Sequence, residues 1–453
     1  MKIRFDDSLP RLCELICAWS GNDLLSRSAV VRDAGGRLAI VLPVNVDELK
    51  LEELKDSIRA SLGAYARPDD PIVDTAYPGA QRLLEEASRQ AVTKVGPYSV
   101  RLLDRRVVGS DWLRSPAATA TEVPRFVFSS LKGGVGRSTA LCIVAAHMSR
   151  KGLRVLAIDF DLEAPGIGTM LLDETELPDY GMLDYLVEAN LANVDDDFVT
   201  ELTGDSFLGA SGARVTVIPA IGRRTLQNPE NALAKLARAY LESTQEDGAL
   251  KTITDQLSEL LDKFDSLDAY DVVLIDGRAG LHETAASLIL GIGAEVLLFG
   301  LDQPQTFQGY RLLMGQLDRY PSDASDDWRD RISFVHAKAP DSSSEREEAA
   351  SRFHALLSRQ AANDEDHAEY DPDLTENDFD LEWEESVDDI QSDDLLDVEV
   401  LHVLEDTRYR AFDPVSDRRI LESRAYADAF SSLLQYVDSV VVGAAAEEEI
   451  EDR

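Results

Sequence analysis

The sequence Leu-Lys-Gly-Gly-Val-Gly-Arg-Ser-Thr at residues 131–139 follows the apolar run Phe-Val-Phe at residues 126–128 and precedes a helical pattern. A strand, a glycine-rich loop and a helix start, in this order, form a cradle in which backbone N–H groups and the helix dipole point at one spot. The ligand that suits such a cradle is a polyphosphate. We therefore predict a phosphate-binding site lined by Gly133, Gly134, Val135, Gly136, Arg137, Ser138 and Thr139.

The loop departs from the usual phosphate-loop pattern, which is Gly-x-x-x-x-Gly-Lys-Ser/Thr. Gly136 and Ser138 are kept, whereas Leu131 replaces the first glycine and Arg137 replaces the lysine. Arginine keeps the positive charge and several N–H donors, so phosphate binding is expected, but its bulkier fork leaves the hydrolysis rate open. A glycine turn that merely joins a strand to a helix is disfavoured, because three glycines, two cations and a Ser-Thr pair coincide here.

A second cation, Lys132, stands at the front of the loop. With it, the loop resembles the deviant Walker A motif of the ParA/MinD family of P-loop ATPases, whose usual form is Lys-Gly-Gly-x-Gly-Lys-Ser/Thr. The resemblance covers roughly residues 125–440. It implies ATP and Mg²⁺ as cofactors, with Ser138 among the metal ligands. It also implies a homodimer formed on ATP binding, in which Lys132 acts as a catalytic residue on the phosphates of the partner subunit.

A strand ending in two carboxylates follows one helix later. Residues 155–158 are apolar, and Asp159 and Asp161 come after them on one face of an extended segment. This pattern resembles the switch I region of the family. The resemblance implies that Asp161 orients the attacking water, as a catalytic residue, and that Asp159 supports the metal shell. The alternative is an acidic strand end that is only solvated.

The segment 271–276, in which the apolar run 272–275 leads to Asp276, resembles the Walker B motif. The resemblance implies that Asp276 holds Mg²⁺ through water, because this cation keeps part of its hydration shell. The four residues that follow stand in place of the family's Thr-Pro-Pro-Gly-like switch II, and Gly280 is expected to donate its N–H to the γ-phosphate. Arg278 is unusual there. It is either a phosphate sensor or an ion-pair partner of Glu283, and the sequence leaves both open.

Residues 332–338 stand where relatives often carry an asparagine that reads the adenine edge, and His336 occupies that place here. ATP is therefore the expectation of the family, and His336 is interpreted as a structural residue.

Apolar strands alternate with helical segments beyond Pro124, which predicts an α/β fold with a doubly wound, mostly parallel sheet. Ligands of such sheets bind at the carboxyl ends of the strands, where the glycine loop lies. The predicted strands are 125–129, 154–158, 214–218, 272–275, 295–299, 332–335 and 398–403. The predicted helices include 138–151, 232–241, 250–264 and 306–317.

The predicted organisation has five parts. They are a smaller N-terminal accessory α+β domain at 1–112, a linker at 113–124, the P-loop ATPase domain at 125–440, an acidic insertion at 361–397 inside it, and an acidic tail at 441–453. The insertion holds seventeen Asp and Glu and no Lys or Arg, which predicts disorder. Its alternating Phe379, Leu381 and Trp383 are compatible either with a solvated loop or with docking on a basic groove of a partner.

The formal net charge of the 453-residue chain is −40. A surface this acidic repels nucleic acid and anionic lipid, so the charge disfavours DNA and membranes as partners. We find no apolar run long enough to span a bilayer and no apolar signal-peptide core at the start. The three cysteines give neither a disulfide framework nor a zinc site. These features predict a cytoplasmic protein.

These patterns favour an ATP-hydrolysing molecular switch that dimerises on nucleotide and regulates a protein partner through residues 1–112 or the acidic insertion. Arginine-bearing loops resemble a subgroup of bacterial ATPases encoded in multi-gene systems, some of them defensive. A non-hydrolysing nucleotide sensor or scaffold stays open because of Arg137 and the altered switch II. A DNA-positioning ParA-like ATPase is the other alternative, opposed by the charge. Metabolic and redox enzymes of this fold are disfavoured, since Cys142 has no partner cysteine nearby and no substrate pocket is visible.

Overall fold

The computed structural model describes residues 3–90, 92–106, 109–120, 123–191, 194–209, 213–244, 250–267, 269–320, 328–357 and 400–451. The chain divides into two compact units, Met1–Leu113 with Arg319–Pro321, and Arg114–Asp318 with Ser322–Arg453. The predicted acidic insertion, with Phe379, Leu381 and Trp383, lies outside the described residues.

The elements of the first unit are α1 (Phe5–Ser20), α2 (Asn22–Arg27), β1 (Ala29–Arg32), β2 (Leu38–Val41), α3 (Glu48–Leu62), β3 (Ile72–Val73), α4 (Ala80–Ser88), β4 (Thr93–Val95) and β5 (Tyr98–Asp104). They form an α+β fold built on a five-stranded sheet of order β3-β2-β1-β5-β4. Strand β1 pairs in parallel with β5 and antiparallel with β2. Two helices, α1 and α3, bury their apolar stripes in the core of this unit, with Leu12, Ile16 and Ile58 fully buried.

The second unit alternates strands and helices from residue 125 onward. In its first half the elements are β6 (Arg125–Ser130), α5 (Arg137–Arg150), β7 (Val155–Asp159), α6 (Ile167–Leu171), α7 (Met182–Ala189), α8 (Asp196–Glu201), β8 (Gly204–Asp205), β9 (Val215–Ile218), α9 (Arg223–Gln227), α10 (Ala232–Ala239), β10 (Ser243–Thr244), β11 (Leu250–Lys251) and α11 (Ile253–Asp265). In its second half they are β12 (Val272–Ala279), α12 (Glu283–Ile289), β13 (Glu295–Gly300), α13 (Pro304–Leu317), β14 (Ile332–Ala339), α14 (Ser343–Leu357), β15 (Leu401–Leu404), α15 (Ser423–Tyr426) and α16 (Ser431–Glu451).

The sheet of this unit has eight strands in the order β15-β14-β13-β6-β12-β7-β9-β8. Every neighbouring pair is parallel except β8 with β9 at one edge. The predicted doubly wound, mostly parallel sheet is therefore confirmed. Since β12 lies between β6 and β7, the carboxyl ends of these three strands meet at one place, where Asp276 is in register with Asp159. Ligand crevices of open α/β sheets form at such ends.

Helix α5 is buried on nearly all sides, which fixes the glycine loop before it. Leu141, Ile143 and Val144 are fully buried, and the helix packs on β6, β7 and β12. The strands beneath it are apolar on both faces, as parallel strands covered by helices must be. Phe128 of β6 stacks on Phe299 of β13 with ring centroids 5.9 Å apart. Within the described parts of the chain, every helix is too short or too polar to traverse a bilayer.

Candidate functional site

The glycine loop joins β6 to α5 and needs glycine for conformational reasons. Gly134 and Gly136 have φ of 77° and 94°, in the left-handed region that side chains with a Cβ disfavour. A Cβ at either position would meet no atom within 4 Å, so space is not the constraint. Gly136 is the N-cap of α5, and the helix begins at Arg137. The loop thus has the strand–loop–helix geometry that its sequence predicts.

Arg137 lies at the centre of a buried polar cluster. Its Nε donates to Asp276 Oδ1 at 2.6 Å and its Nη2 donates to Asp161 Oδ2 at 2.9 Å. Its Nη1 donates to the hydroxyl of Ser130 at 3.0 Å. Only 8% of Arg137 is exposed. The guanidinium therefore joins the two carboxylates that the sequence assigns to different tasks, water positioning and metal binding.

The charges in this cluster support one another. Burial alone lowers the pKa of the Arg137 guanidinium, but the charges and hydrogen bonds of Asp276 and Asp161 outweigh it and raise the pKa. Arg137 therefore stays cationic. Burial raises the pKa of the Asp276 carboxyl, while the charge of Arg137 and the hydroxyl of Ser138 oppose that rise. We infer that Asp276 is ionised beside the guanidinium, because the two groups touch and both are buried.

Ser138, in the first turn of α5, is hydrogen-bonded to Asp276 of β12. The hydroxyl of Ser138 donates to Asp276 Oδ2 at 2.6 Å. These two oxygen ligands suit Mg²⁺, which is commonly held by one or two protein oxygens together with water and substrate phosphates. Among the described residues, no three His, Cys, Asp or Glu side chains form a ready metal cage. The donor set therefore fits a metal that arrives with a nucleotide better than a metal bound by protein alone.

Asp159 shapes the backbone that follows β7. Its Oδ2 accepts the N–H groups of Gly166 and Ile167 at 2.9 and 3.0 Å, and its Oδ1 accepts that of Asp161 at 3.2 Å. Burial, with the nearby charge of Asp276, raises the pKa of Asp159 to about 7 despite these bonds. Asp159 thus acts in this structure as the anchor of the 161–167 loop. Its predicted part in the metal shell stays a prediction.

Lys132 and Gly280 lie apart from the cluster. Lys132 is exposed at the front of the loop, and its carbonyl accepts a hydrogen bond from the hydroxyl of Ser130 at 3.1 Å. Its exposed side chain is compatible with a reach toward a second subunit. The N–H of Gly280, predicted to meet a γ-phosphate, donates to the carbonyl of Ser130 at 2.8 Å. Of the remaining loop residues, Val135 is buried and Thr139 is half-buried.

Arg278 does not pair with Glu283, one of the two roles that the sequence left open for it, and its role as a phosphate sensor stays a prediction. Its guanidinium forms an ion pair with Glu163, in the loop after β7, whereas Glu283 pairs with His282 at 3.0 Å. Its Nη1 is buried and has no hydrogen-bond partner in the described part of the chain. The ion pair links the end of β12 to the loop after β7, the two segments whose sequences resemble the family's switch regions. Sequence reasoning missed Glu163 and Ser130 because neither belongs to a motif.

His336 lies in β14, where it is 4% exposed and 5.9 Å from the ring of Phe353. Burial lowers its pKa, so the imidazole is neutral. It also lines a cavity of about 580 Å³ at the carboxyl ends of β13 and β14. Its packing on Phe353 agrees with the structural role that we predicted, and its position in the cavity wall also places it beside any ligand that binds there.

The model of the family described as "AAA domain" matches residues 125–317. A ParA family ATPase from Chlorobium tepidum TLS is similar in structure, with a TM-score of 0.43 and 14% identity over 70% of this chain and 98% of that one. The cell-division protein MinD of Aquifex aeolicus is similar with a TM-score of 0.42 and 14% identity, over 70% and 97% of the two chains. The Mg-ADP complex of MinD from Pyrococcus horikoshii OT3 is similar with a TM-score of 0.41 and 18% identity, over 71% and 98%. No curated protein matches this chain in sequence.

The family match covers the segment that carries the glycine loop, the paired carboxylates and the Walker B-like strand. It stops before the cavity-lining residues of β14 and α14. Residues 125–317 are therefore similar to the AAA-domain family, and within them the chain has the strand–loop–helix geometry of a phosphate loop that its sequence predicts.

Proposed function

We propose that this protein is a molecular switch that binds ATP with Mg²⁺, dimerises on the nucleotide, hydrolyses it slowly and thereby regulates a protein partner. The observation that carries the proposal is the buried cluster of Arg137, Ser138, Asp161 and Asp276 beside the glycine loop. Such a cluster brings a cation, a hydroxyl and two carboxylates to the carboxyl ends of three parallel strands, where phosphoryl transfer relies on positioning and charge neutralisation.

Each residue has a distinct task in this proposal. The loop N–H groups from Gly133 to Thr139 cradle the phosphates, and Lys132 offers its charge to a nucleotide held by a second copy of the chain. Asp161 accepts a proton or a hydrogen bond from the attacking water. Ser138 and Asp276 hold the metal, which neutralises phosphate charge when it is bound. Gly280 lies close enough to the loop to exchange its Ser130 bond for one to a ligand.

The output of the switch is proposed to be protein binding, through residues 1–112 or the acidic insertion. The net charge of −40 supports a protein partner over DNA or a membrane, because an acidic surface repels both. The resemblance of its arginine-bearing loop supports a place in a bacterial multi-gene, defence-type system.

A non-hydrolysing sensor is the second candidate, and the contacts of Arg137 favour it. The guanidinium already spans Asp161 and Asp276, so it neutralises the carboxylates that hydrolysis needs. A nucleotide that binds without displacing it would meet a site whose water-positioning carboxylate is occupied.

Binding and turnover measured separately decide between the two. We expect wild-type protein to bind ATP by calorimetry and to release phosphate slowly. Asp161→Ala should bind ATP and release no phosphate, whereas the control Asp196→Ala, at a side chain that is 94% exposed, should behave as wild type. Binding without release above the Asp161→Ala level supports the sensor. Absence of ATP binding in wild-type protein refutes both.

A further inference from the structure

A second lysine reaches the glycine loop from β14, which is separated from β6 by β13 in the sheet. Lys338 lies near the end of β14, and its ammonium donates to the carbonyl of Gly134 at 2.8 Å. Gly134 is the residue whose left-handed backbone, with φ of 77°, turns the middle of the loop. A bond to its carbonyl therefore fixes the peptide plane on which the direction of the next N–H group depends.

The backbone of Lys338 is itself unusual. Its φ is 53°, and it is the only non-glycine residue with positive φ among the described residues. The pairing of β14 with β15 shifts register between Ala337 and Ala339, so Lys338 sits at a bulge. The two alanines are buried, whereas Lys338 is exposed. Bulges re-aim side chains, and strained backbone persists where the surrounding structure holds it, often at functional sites.

Lys338 also lines the cavity of about 580 Å³, together with Asp302, His336, Glu345, Arg352 and Glu405. Arg352 is engaged there, since its Nε donates to Asp302 Oδ1 at 2.9 Å. An ammonium has three donors, and Lys338 uses one of them on Gly134. Among the described residues, Gly134 is the one hydrogen-bond partner of the ammonium, so the lysine stands between the loop and the cavity with donors that a ligand can use.

We propose that Lys338 is a positioning residue of the nucleotide site. It holds Gly134 so that the loop N–H groups face the phosphates, and its charge offsets theirs. The charge matters because an anionic nucleotide approaches a chain with a net charge of −40. The inference rests on the proposed nucleotide binding and assigns a cation that lies outside all three sequence motifs.

The first arm of the test needs no nucleotide. Hydrogen exchange of a peptide covering the loop 131–136 is measured in wild-type protein, Lys338→Ala, Lys338→Arg and the control Lys263→Ala. Lys263 is half-buried and its ammonium pairs with the exposed Asp196 at 2.6 Å, so it matches Lys338 as a lysine with a polar contact of similar length. We expect faster loop exchange in Lys338→Ala alone. Equal exchange in all four proteins overturns the role of Lys338 in holding the loop.

The second arm measures affinities for ATP and ADP by calorimetry, and adds Lys338→Gly. Glycine relieves the left-handed backbone, so this variant separates loss of the ammonium from loss of folding. We expect Lys338→Ala and Lys338→Gly to bind about 10- to 100-fold more weakly than wild type, the worth of a charged hydrogen bond, and Lys338→Arg to recover part of the loss. Wild-type affinity in the alanine and glycine variants overturns the inference. If wild-type protein itself binds no nucleotide, the proposed function fails, and the exchange arm still tests the loop contact.

Discussion

Replacing Arg137 by methionine removes the positive charge that lies between two buried carboxylates, those of Asp161 and Asp276. Asp161 and Asp276 are 5% and 1% exposed, and their bonds to the guanidinium are 2.9 and 2.6 Å long. Breaking a buried ion pair by deleting one partner costs about 3–5 kcal/mol, because the remaining charge is left uncompensated. We expect the free energy of unfolding of the nucleotide-free protein to fall by about that amount.

Arg154→Met is the matched control for this substitution. Arg154 also pairs with an aspartate, Asp271, at 2.6 Å, but the two side chains are 37% and 30% exposed. Solvent screens such a pair, so we expect its loss to cost about 0–1 kcal/mol. Both variants are compared by urea denaturation without nucleotide, with equal dependence on urea concentration as the check that the same surface unfolds.

The double variant Arg137→Met/Asp276→Asn tests the cause of the effect. If uncompensated charge is what destabilises Arg137→Met, removing one of the carboxylates restores part of the loss, and the two changes are not additive. An Arg137→Met protein as stable as Arg154→Met would refute the reasoning. So would a double variant whose loss equals the sum of the single losses.

Two further predictions concern an ion pair and a buried carboxyl group in the second unit. Arg278→Gln and Glu163→Gln each break the ion pair between the end of β12 and the loop after β7. Both side chains are partly exposed, so we expect the free energy of unfolding to fall by less than about 1 kcal/mol. Hydrogen exchange of residues 162–166 should rise equally in both variants and no further in the double variant. Unchanged hydrogen exchange in both single variants would contradict a link between the end of β12 and the loop after β7. Burial raises the pKa of Glu295 above 4.5, although the hydrogen bond from the hydroxyl of Tyr436 opposes the rise. The protonated carboxyl of Glu295 therefore contributes its full stabilisation below pH 4.5, and this stabilisation is lost as the pH rises through the pKa of the folded protein. Glu295→Gln should therefore be more stable than wild type at neutral pH and equal to it below pH 4.5, and urea denaturation at the two pH values shows whether the difference vanishes.

The sheet was predictable because its central strands carry the strongest local signals. Strands β6, β7, β12 and β13 are short runs of apolar residues, buried on both faces and bounded by glycine or charge. Such runs have few alternatives to a strand in a parallel sheet. The edge strand β8 was missed, because its two residues, Gly204 and Asp205, have no pattern of their own. They pair only with β9, and that pairing is a property of the folded chain.

The residues of the buried cluster around Arg137 could be singled out from the sequence motifs, except Ser130, but their contacts with one another could not. The motifs assign Arg137 to phosphate, and the structure joins it to carboxylates from β12 and from the loop after β7. These partners are 139 and 24 residues away, so no local spacing reports them. Arg278 shows the same limit. Its neighbour Glu283 is engaged with His282, and Glu163 comes from a different loop.

The central claim is that nucleotide binding and dimerisation are coupled through Lys132, and molar mass by light scattering tests it most directly. Wild-type protein, Asp161→Ala and Lys132→Ala are compared with Mg²⁺ and ATP against Mg²⁺ and ADP. The account predicts that ATP doubles the mass of the wild-type protein, that Asp161→Ala stays dimeric in ATP, and that Lys132→Ala stays monomeric in both. A mass that ignores the nucleotide in all three proteins would contradict it.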